Sequence, residues 1–268
     1  MKTIGFIGCG NMGKAMVEGI MQSQLVNGEH MIVSNLHPEK LEALSSMYDF
    51  YISDNETVAR HADILVLAVK PYLYATIIDE IKDVIKEDCI VVAIAAGIEL
   101  ADLYAMFKRK VKAVKAMPNT PAVVSEAMSA LAFGEMLNQE DREDIIDVFE
   151  SFGKCVEVKE SMMEAVTAVS GSAPAYMFMI LEAMGDAAVL EGMPRKDAYI
   201  FAAQAMLGSA KMVLETNKHP AVLKDAVCSP AGTTIEAVRV LEACGLRHAI
   251  MEGMRACANK SREMKTKK

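Results

Sequence analysis

The first half of the chain alternates short apolar runs with segments in which apolar residues recur at helical spacing. Runs rich in Val and Ile and bounded by turn residues are typical of strands, and fully apolar runs indicate burial on both faces. Five strands are predicted, at residues 3–7, 31–34, 64–69, 89–94 and 112–116. Helices are predicted between the first four of them, at residues 12–24, 38–47 and 71–85. This alternation predicts an α/β fold with a doubly wound parallel sheet.

The second half of the chain has a different pattern. After about residue 158 the strand signal stops, and long segments of helical periodicity follow. Helices are predicted at residues 174–190, 196–215, 221–227, 234–243 and 246–260. A domain of about 100 residues buries a small share of its surface, so part of this apolar surface is expected to meet another subunit. We therefore expect one domain at residues 1–160 and an all-helical domain at residues 161–268.

A glycine-rich segment lies between the first strand and the first helix. Gly8, Gly10 and Gly13 form a G-x-G-x-x-G pattern, with Asn11 and Met12 between the last two glycines. Such glycines permit a tight turn, a close approach of the backbone to a pyrophosphate, and close packing of helix on strand. The N-terminus of the helix presents free N–H groups to the phosphates. The segment predicts a Rossmann-like dinucleotide site.

The end of the second strand bears on the choice of nicotinamide cofactor. Enzymes that bind NAD usually carry an acidic residue there, which holds the ribose hydroxyls. This chain has Ser34 and Asn35 instead, which can donate hydrogen bonds to a 2′-phosphate. We therefore expect NADPH, with NADH left open because no arginine is present to bind the phosphate. Asn55, between the predicted strands at residues 31–34 and 64–69, is a candidate to reach the adenine ribose, and a turn or helix-capping role is the alternative.

Four further motifs carry a resemblance to a known family. They lie at residues 68–71, 117–121, 164–176 and 229–234. In this order, and together with the glycine turn, they closely resemble the pyrroline-5-carboxylate reductase family over essentially the whole chain. The third motif corresponds to the signature of that family. The family favours glycine where this chain has Ala173 and Ala231, and many members carry a basic residue at the position of Leu36.

The resemblance implies a reaction and an assembly. The reaction is reduction of the cyclic imine pyrroline-5-carboxylate to proline with NAD(P)H, in proline biosynthesis. The assembly is a homodimer through the C-terminal helical domain, with larger assemblies of dimers left open. Because a protonated imine is already electrophilic, the protein mainly has to bind and orient the reactants.

The substrate carboxylate requires an anion site, for which the motif at residues 229–234 is the candidate. This motif contains Ser229, Gly232, Thr233 and Thr234 and precedes an apolar helix, so backbone N–H groups of the last three are expected to point outward. Thr234 is the candidate to contact the ring nitrogen through its hydroxyl. The alternative is that either threonine only caps the helix.

The remaining candidate residues lie at or after the ends of the predicted strands at residues 64–69 and 112–116, at the edge of the sheet where ligands bind. They are Ala68, Val69, Lys70, Pro71 and Asn119. Lys70 is expected to approach the cofactor, with a surface ion pair as the alternative. Asn119 is expected to form a rigid wall near the nicotinamide. The small residues Ser170, Gly171 and Ser172 predict a turn that leads into a helix, either as another wall of the cleft or as a helix cap.

Composition narrows the remaining choices. The net charge of −8 and the lack of a basic stripe argue against a nucleic-acid partner. The six scattered cysteines argue against a zinc site, so no metal is expected. The longest apolar run, residues 89–98, is about half the ~20 residues of a membrane span, and no secretory signal is recognised. A soluble, cytoplasmic enzyme acting on a small molecule is expected.

Three alternative functions stay open. A β-hydroxyacid dehydrogenase would need a lysine on the helix that follows Ser172, and no lysine occurs before Lys196. A catalytically silent NADP-binding protein would be expected to lose the substrate turn at residues 232–234, which is intact. An imine reductase for a six-membered ring differs by one methylene, which is worth only about 1–3 kcal/mol in a pocket.

Overall fold

The computed structural model describes residues 1–266 and contains one eight-stranded sheet within them. The strand order is β3-β2-β1-β4-β5-β6-β7-β8. The strands are β1 Ile4–Ile7, β2 Met31–Ser34, β3 Tyr51–Ile52, β4 Ile64–Leu67, β5 Ile90–Ala93, β6 Lys112–Met117, β7 Ala127–Phe133 and β8 Gly153–Glu157. Neighbouring strands are parallel except for β6 and β7. The predicted doubly wound sheet is confirmed, and all five predicted strands are present.

Helices connect the strands and then fill the rest of the chain. Those of the first half are α1 Asn11–Gln22, α2 Glu42–Tyr48, α3 Asn55–His61, α4 Tyr74–Ile81, α5 Leu100–Phe107, α6 Gln139–Glu150 and α7 Met163–Val166. Those of the second half are α8 Ala173–Leu190, α9 Arg195–Thr216, α10 Pro220–Val227, α11 Thr233–Ala243 and α12 Leu246–Thr266. The predicted helices at 38–47 and 71–85 each begin with a short 3₁₀ turn at the proline, and the second ends at Ile81.

Two layers of apolar side chains cover the two faces of the sheet. One layer packs α1 and α6 on the sheet through residues such as Met16, Ile20 and Phe149. The other packs α3, α4 and α5 through residues such as Ile78 and Leu103. Because both faces are covered, the central strands are fully buried, which explains their continuous apolar runs. The carboxyl ends of the parallel strands meet along one edge of this sheet.

The chain divides into two compact units. Unit 1 comprises Met1–Pro174 and the chain from Cys257 onward, so the last part of α12 belongs to it. Unit 2 is Ala175–Ala256 and is built from helices. The domain boundary at residue 160, which the change of hydrophobic pattern predicts, stays a prediction.

Unit 2 exposes much apolar surface within the single chain. Only Gly185 of the eighteen residues of α8 is buried. Large apolar side chains are exposed on α8 and α9, including Phe178 at 64% and Phe201 at 67%. Within the described residues, one helical stretch, Glu160–Leu190, is long and apolar enough to cross a membrane by length and composition. A helix that is apolar on all sides requires a partner for part of its surface.

Candidate functional site

Two of the three glycines in the turn after β1 are required by the protein itself. Gly8 has φ +89°, and a Cβ there would lie 2.7–2.8 Å from Val69 and the Ala68 carbonyl. At Gly13, which is buried in α1, a Cβ would lie 2.8 Å from the carbonyl oxygen of Gly8. A side chain at either position would therefore disturb the packing of the turn and α1 against the end of β4.

Gly10 has a different explanation. Its φ of −73° is open to any residue, and a Cβ there would meet nothing within 4 Å. The protein therefore leaves space above this backbone, at the N-terminus of a twelve-residue helix. Asn11, the first residue of that helix, is exposed, and Met12 packs partly against the core. A free space at a helix N-terminus fits a pyrophosphate, which binds N–H groups and the positive end of the helix dipole.

The end of β2 supports the glycine turn. The Ser34 carbonyl accepts from the Gly8 N–H at 2.9 Å, and Asn35 Oδ1 accepts from the Cys9 N–H at 3.3 Å. Ser34 is only 2% exposed, and its hydroxyl donates to Asn55 Oδ1 at 2.6 Å. Ser34 therefore holds Asn55 rather than presenting a free donor to a phosphate. Asn35 is partly exposed and stays the candidate for that contact.

Asn55 links three elements at the same edge. It begins α3, receives the Ser34 hydroxyl, and donates through Nδ2 to Glu80 Oε2 at 2.9 Å. The helix cap is Asp54, whose side chain accepts from the Thr57 N–H, so the alternative capping role of Asn55 is wrong. Glu80, on α4, was missed by the sequence analysis because one exposed glutamate on an amphipathic helix carries no local signal.

The segment after β4 lies against the glycine turn. The Ala68 N–H donates to the Ile7 carbonyl at 2.8 Å, and Val69 contacts the position of Gly8. Lys70 is exposed, and no ion pair to it is found within residues 1–266, in contrast to the alternative of a surface ion pair. Pro71 starts the 3₁₀ turn Pro71–Leu73. The cofactor role of Lys70 stays a prediction.

Asn119, after β6, holds two segments together. Its Nδ2 donates to the Ser170 carbonyl at 3.1 Å, and its Oδ1 accepts from the Met128 N–H at 2.9 Å. The side chain is 8% exposed, so its role here is to fix the chain around it. This agrees with the predicted rigid wall; contact with a nicotinamide stays a prediction.

The signature segment departs from the predicted turn. Thr167–Gly171 forms a π-helical turn that continues α7, and α8 begins two residues later. The Thr167 and Ser170 hydroxyls donate to carbonyls four residues earlier, which offers the backbone a wider turn than the α-helix. Ser170 and Gly171 therefore belong to a π-helical turn instead of the predicted small-residue turn. The two roles expected for this segment, a wall of the cleft or a helix cap, stay predictions.

Cys9 is buried inside the glycine turn. Burial raises the pKa of its thiol to about 11, and nearby Lys14 only partly opposes this effect. The thiol is therefore protonated at neutral pH and behaves as a small apolar side chain. All six cysteines are free.

The candidate substrate turn precedes α11 in unit 2. Gly232 is the N-cap residue, and no side chain caps the helix, so the alternative that Thr233 or Thr234 serves as a cap is wrong. The Gly232 N–H donates to the Ser229 carbonyl at 3.0 Å, which corrects the expectation that this N–H points outward. A Cβ at Gly232 would lie 2.3 Å from Ser229 Oγ, so a side chain there would displace the Ser229 hydroxyl. The amides of Thr233 and Thr234 stay available because the first helical turn has no internal acceptor for them.

The two alanines that replace family glycines behave differently. Ala231 adopts φ +56°, a left-handed conformation that costs an L-residue about 1–2 kcal/mol. Ala173 is the first residue of α8, where alanine is the most favourable residue. Alanine in place of glycine is therefore strained at Ala231, in the substrate turn, and is not strained at Ala173, in the signature segment.

Comparisons with known proteins agree along the chain. The family described as NADP oxidoreductase, coenzyme F420-dependent, matches residues 3–97, and the family described as pyrroline-5-carboxylate reductase dimerisation matches residues 160–264. The pyrroline-5-carboxylate reductases of Escherichia coli K12 and Methanosarcina acetivorans are 47% and 42% identical, over 98% and 97% of both chains. The crystal structure of Plasmodium falciparum pyrroline carboxylate reductase with NADP bound superposes with a TM-score of 0.90, at 30% identity over 98% of each chain.

A Rossmann-like sheet with open space at its glycine turn, together with the match to an NADP oxidoreductase family, places the chain among the nicotinamide-dependent oxidoreductases. The identity of 47% extends over nearly the whole chain. The chain belongs to the pyrroline-5-carboxylate reductase family. The resemblance inferred from the sequence motifs is confirmed.

The space at Gly10 gives a direct test of the pyrophosphate site. Gly10→Val is expected to abolish NADPH binding, measured by calorimetry, and to lower the melting temperature of the apoprotein only slightly, because no protein atom lies within 4 Å of the new Cβ and only the N-cap of α1 is weakened. Gly13→Val is the matched variant, and it is expected to lower the melting temperature through its clash with the Gly8 carbonyl. Normal NADPH affinity in Gly10→Val would contradict the assignment.

Proposed function

We propose that this protein reduces the cyclic imine of 1-pyrroline-5-carboxylate to L-proline with NADPH, the last step of proline biosynthesis. The observation that carries the proposal is the open space at Gly10 in a chain 47% identical to the Escherichia coli enzyme of that name. NADPH is favoured because no acidic residue ends β2 and because the Plasmodium relative was crystallised with NADP. When bound, the reduced nicotinamide supplies the hydride for the imine carbon.

The protein's own part in the reaction is binding and orientation. The amides of Thr233 and Thr234 at the N-terminus of α11 hold the substrate carboxylate, aided by the helix dipole. Ser229 and Gly232 close the turn that aims these amides. The Thr234 hydroxyl hydrogen-bonds the ring nitrogen and so fixes the orientation of the C=N bond. Conversion of a protonated imine to an amine needs no further proton at the moment of reduction.

Some residues at the proposed cofactor site contact the dinucleotide, and others hold the contacting residues in place. Gly10, Asn11 and the start of α1 hold the pyrophosphate, Asn35 faces the 2′-phosphate, and Lys70 supplies the nearest exposed positive charge after β4. Ser34 supports these groups from beneath, through Asn55. Val69 and Pro71 shape the backbone beside the turn.

The protein acts as a homodimer through unit 2 and is soluble in the cytoplasm. Support comes from the dimerisation family match over residues 160–264 and from the exposed apolar side chains of α8 and α9. A second copy covers the apolar stretch that ends at Leu190, which removes the need for a lipid environment. Larger assemblies of dimers are compatible with this interface.

The function is tested by substrate comparison. Oxidation of NADPH and NADH is followed with 1-pyrroline-5-carboxylate, the six-membered cyclic imine and a 2-keto acid in parallel. We expect the highest kcat/KM with NADPH and the five-membered imine, by at least about tenfold over the six-membered ring. A preference for the keto acid would show hydroxyacid chemistry, and no turnover with any substrate would show a silent binding protein.

The Thr234 hydroxyl is tested by substitution. Thr234→Ala is expected to lower kcat on pyrroline-5-carboxylate by about 10- to 100-fold, because a hydrogen bond to a charged group is worth about 1.5–3 kcal/mol, while NADPH affinity is retained. Thr234→Ser keeps the hydroxyl and is expected to recover most of the loss. Unchanged kinetics in Thr234→Ala would remove this residue from the proposed mechanism.

The dimer is tested by sedimentation. Phe178→Glu and Phe201→Glu place a charge on the exposed apolar surface of α8 and α9 and are expected to weaken association. Met47→Glu is the control, because Met47 is also exposed, at 70%, but lies in unit 1. A monomeric wild-type protein at micromolar concentration, or recovery only with detergent, would contradict the proposal.

A further inference from the structure

Lys115 is a lysine buried inside the sheet of unit 1. It lies near the carboxyl end of β6, is 2% exposed, and donates through Nζ to the Ala95 carbonyl, two residues beyond the end of β5. It lines a small cavity whose wall also contains Glu160 and Glu164, while its two neighbours on the strand are apolar core residues. Burial of an ammonium group carries a large desolvation penalty, which nearby carboxylates and the Ala95 carbonyl offset. The lysine is therefore a polar anchor at this end of the sheet rather than a residue that only fills space.

Tyr74 holds the same backbone unit from the other side. It is fully buried, donates through its hydroxyl to the Leu67 carbonyl at 2.6 Å, and accepts from the Ala95 N–H at 3.3 Å. Burial raises the pKa of this hydroxyl well above its usual range, so it remains a donor at all relevant pH values. Both polar groups of the Ala95 backbone are thus bound by buried side chains, one from α4 and one from β6.

The rest of the segment after β5 is held by the end of α12. Gly97 adopts φ +78°, and a Cβ there would lie 3.5 Å from Met264. Lys265 forms ion pairs with Glu99 and with Glu164. Groups from three elements of unit 1 therefore contact this segment, at Ala95, Gly97 and Glu99.

The position of this segment relates it to the cofactor. A Rossmann sheet binds a dinucleotide along the carboxyl ends of its strands, with one mononucleotide over each half of the sheet. The glycine turn follows β1, at the centre of the strand order, and Asn35 and Asn55 lie on the β2–β3 side, where the adenosine half belongs. The nicotinamide half therefore belongs over the ends of β4, β5 and β6, which Tyr74 and Lys115 tie together.

We propose that Lys115 and Tyr74 are positioning residues that fix residues 95–97 as the surface on which the nicotinamide ring rests. This inference rests on the proposed function. Neither side chain reaches the reacting atoms, because both are buried beneath the backbone they hold. Since the pyrophosphate and adenosine sites lie elsewhere on the edge, loss of either group is expected to affect hydride transfer more than cofactor affinity.

The central test is Lys115→Met, which keeps the chain length and removes the charge. A displacement of about 1 Å at a reacting centre can cost about 100-fold in rate, so we expect kcat to fall by about 10- to 100-fold. NADP affinity, measured by calorimetry, is expected to change by less than about fivefold. The primary isotope effect with NADPH deuterated at the transferred position is expected to increase as hydride transfer becomes rate-limiting. Lys115→Arg restores the donor and is expected to recover part of the rate.

A second readout does not depend on activity. Hydrogen exchange of the backbone amides of residues 95–98 in the apoprotein is expected to accelerate in Lys115→Met and in Tyr74→Phe. The double variant is expected to show less than the sum of the two kinetic effects, because both side chains hold one backbone unit. If Lys115→Met does not fold, Tyr74→Phe carries the same test alone.

Lys112→Met is the matched control. Lys112 lies at the opposite end of the same strand and pairs with Asp141 at 3.0 Å. We expect this variant to lower stability while the isotope effect and the exchange of residues 95–98 stay at wild-type values.

The outcomes separate this inference from the proposed function. Normal wild-type turnover, combined with an unchanged isotope effect and unchanged exchange in Lys115→Met, would overturn the positioning role and leave the function intact. Failure of the wild-type protein to reduce the imine would instead overturn the function, and the exchange experiment would still decide whether Lys115 holds the segment. If Lys112→Met and Lys115→Met change kcat, the isotope effect and the hydrogen exchange of residues 95–98 equally, Lys115 contributes only to stability and the positioning role is overturned.

Discussion

The architecture of unit 1 depends on how closely the backbone of the first turn approaches its neighbours. Gly8 and Gly13 bring the turn and α1 so near the end of β4 that a single methyl group at either position would overlap another atom. This contact sets the start of α1 at the carboxyl edge of the sheet. Gly10 then faces open space, and the positive end of the helix dipole of α1 attracts an anion that binds there. The anion site is thus a consequence of backbone packing rather than of any charged side chain.

Side-chain hydrogen bonds extend this arrangement along the same edge. Asn35 and Asn55 fix the side of β2, and Tyr74, Lys115 and Asn119 fix the side of β4 to β6. Most of these groups satisfy backbone N–H and carbonyl groups that lie beyond the strand ends, where the ladder no longer provides partners. The edge is therefore rigid without regular secondary structure. A rigid edge suits a reaction in which orientation of the reactants supplies most of the rate.

The sequence predicts the elements whose signal is local and leaves out those whose signal depends on packing. The five apolar strands and the long C-terminal helices follow from periodicity, and the glycine turn follows from its spacing. Strand β7, Ala127–Phe133, was not predicted because its alternation of small residues carries little strand preference, and β8 is a short, largely exposed strand. The π-helical turn at Thr167–Gly171 also receives a hydrogen bond from Asn119, about fifty residues away, and this distant contact carries no local signal in the sequence. Ser34 was predicted to donate to a phosphate because its burial and its hydrogen bond to Asn55 arise only from the tertiary structure. Lys115 is a charged residue within the apolar strand predicted at residues 112–116, and this pattern alone indicates a buried lysine.

Burial of Cys9 has a consequence for the chemical durability of the protein. With a pKa of about 11, only about one thiol in ten thousand is ionised at pH 7, and the thiolate is the form that reacts with peroxides and alkylating agents. The cysteine beside the phosphate-binding backbone is therefore nearly inert, although its position in the sequence suggests a vulnerable group.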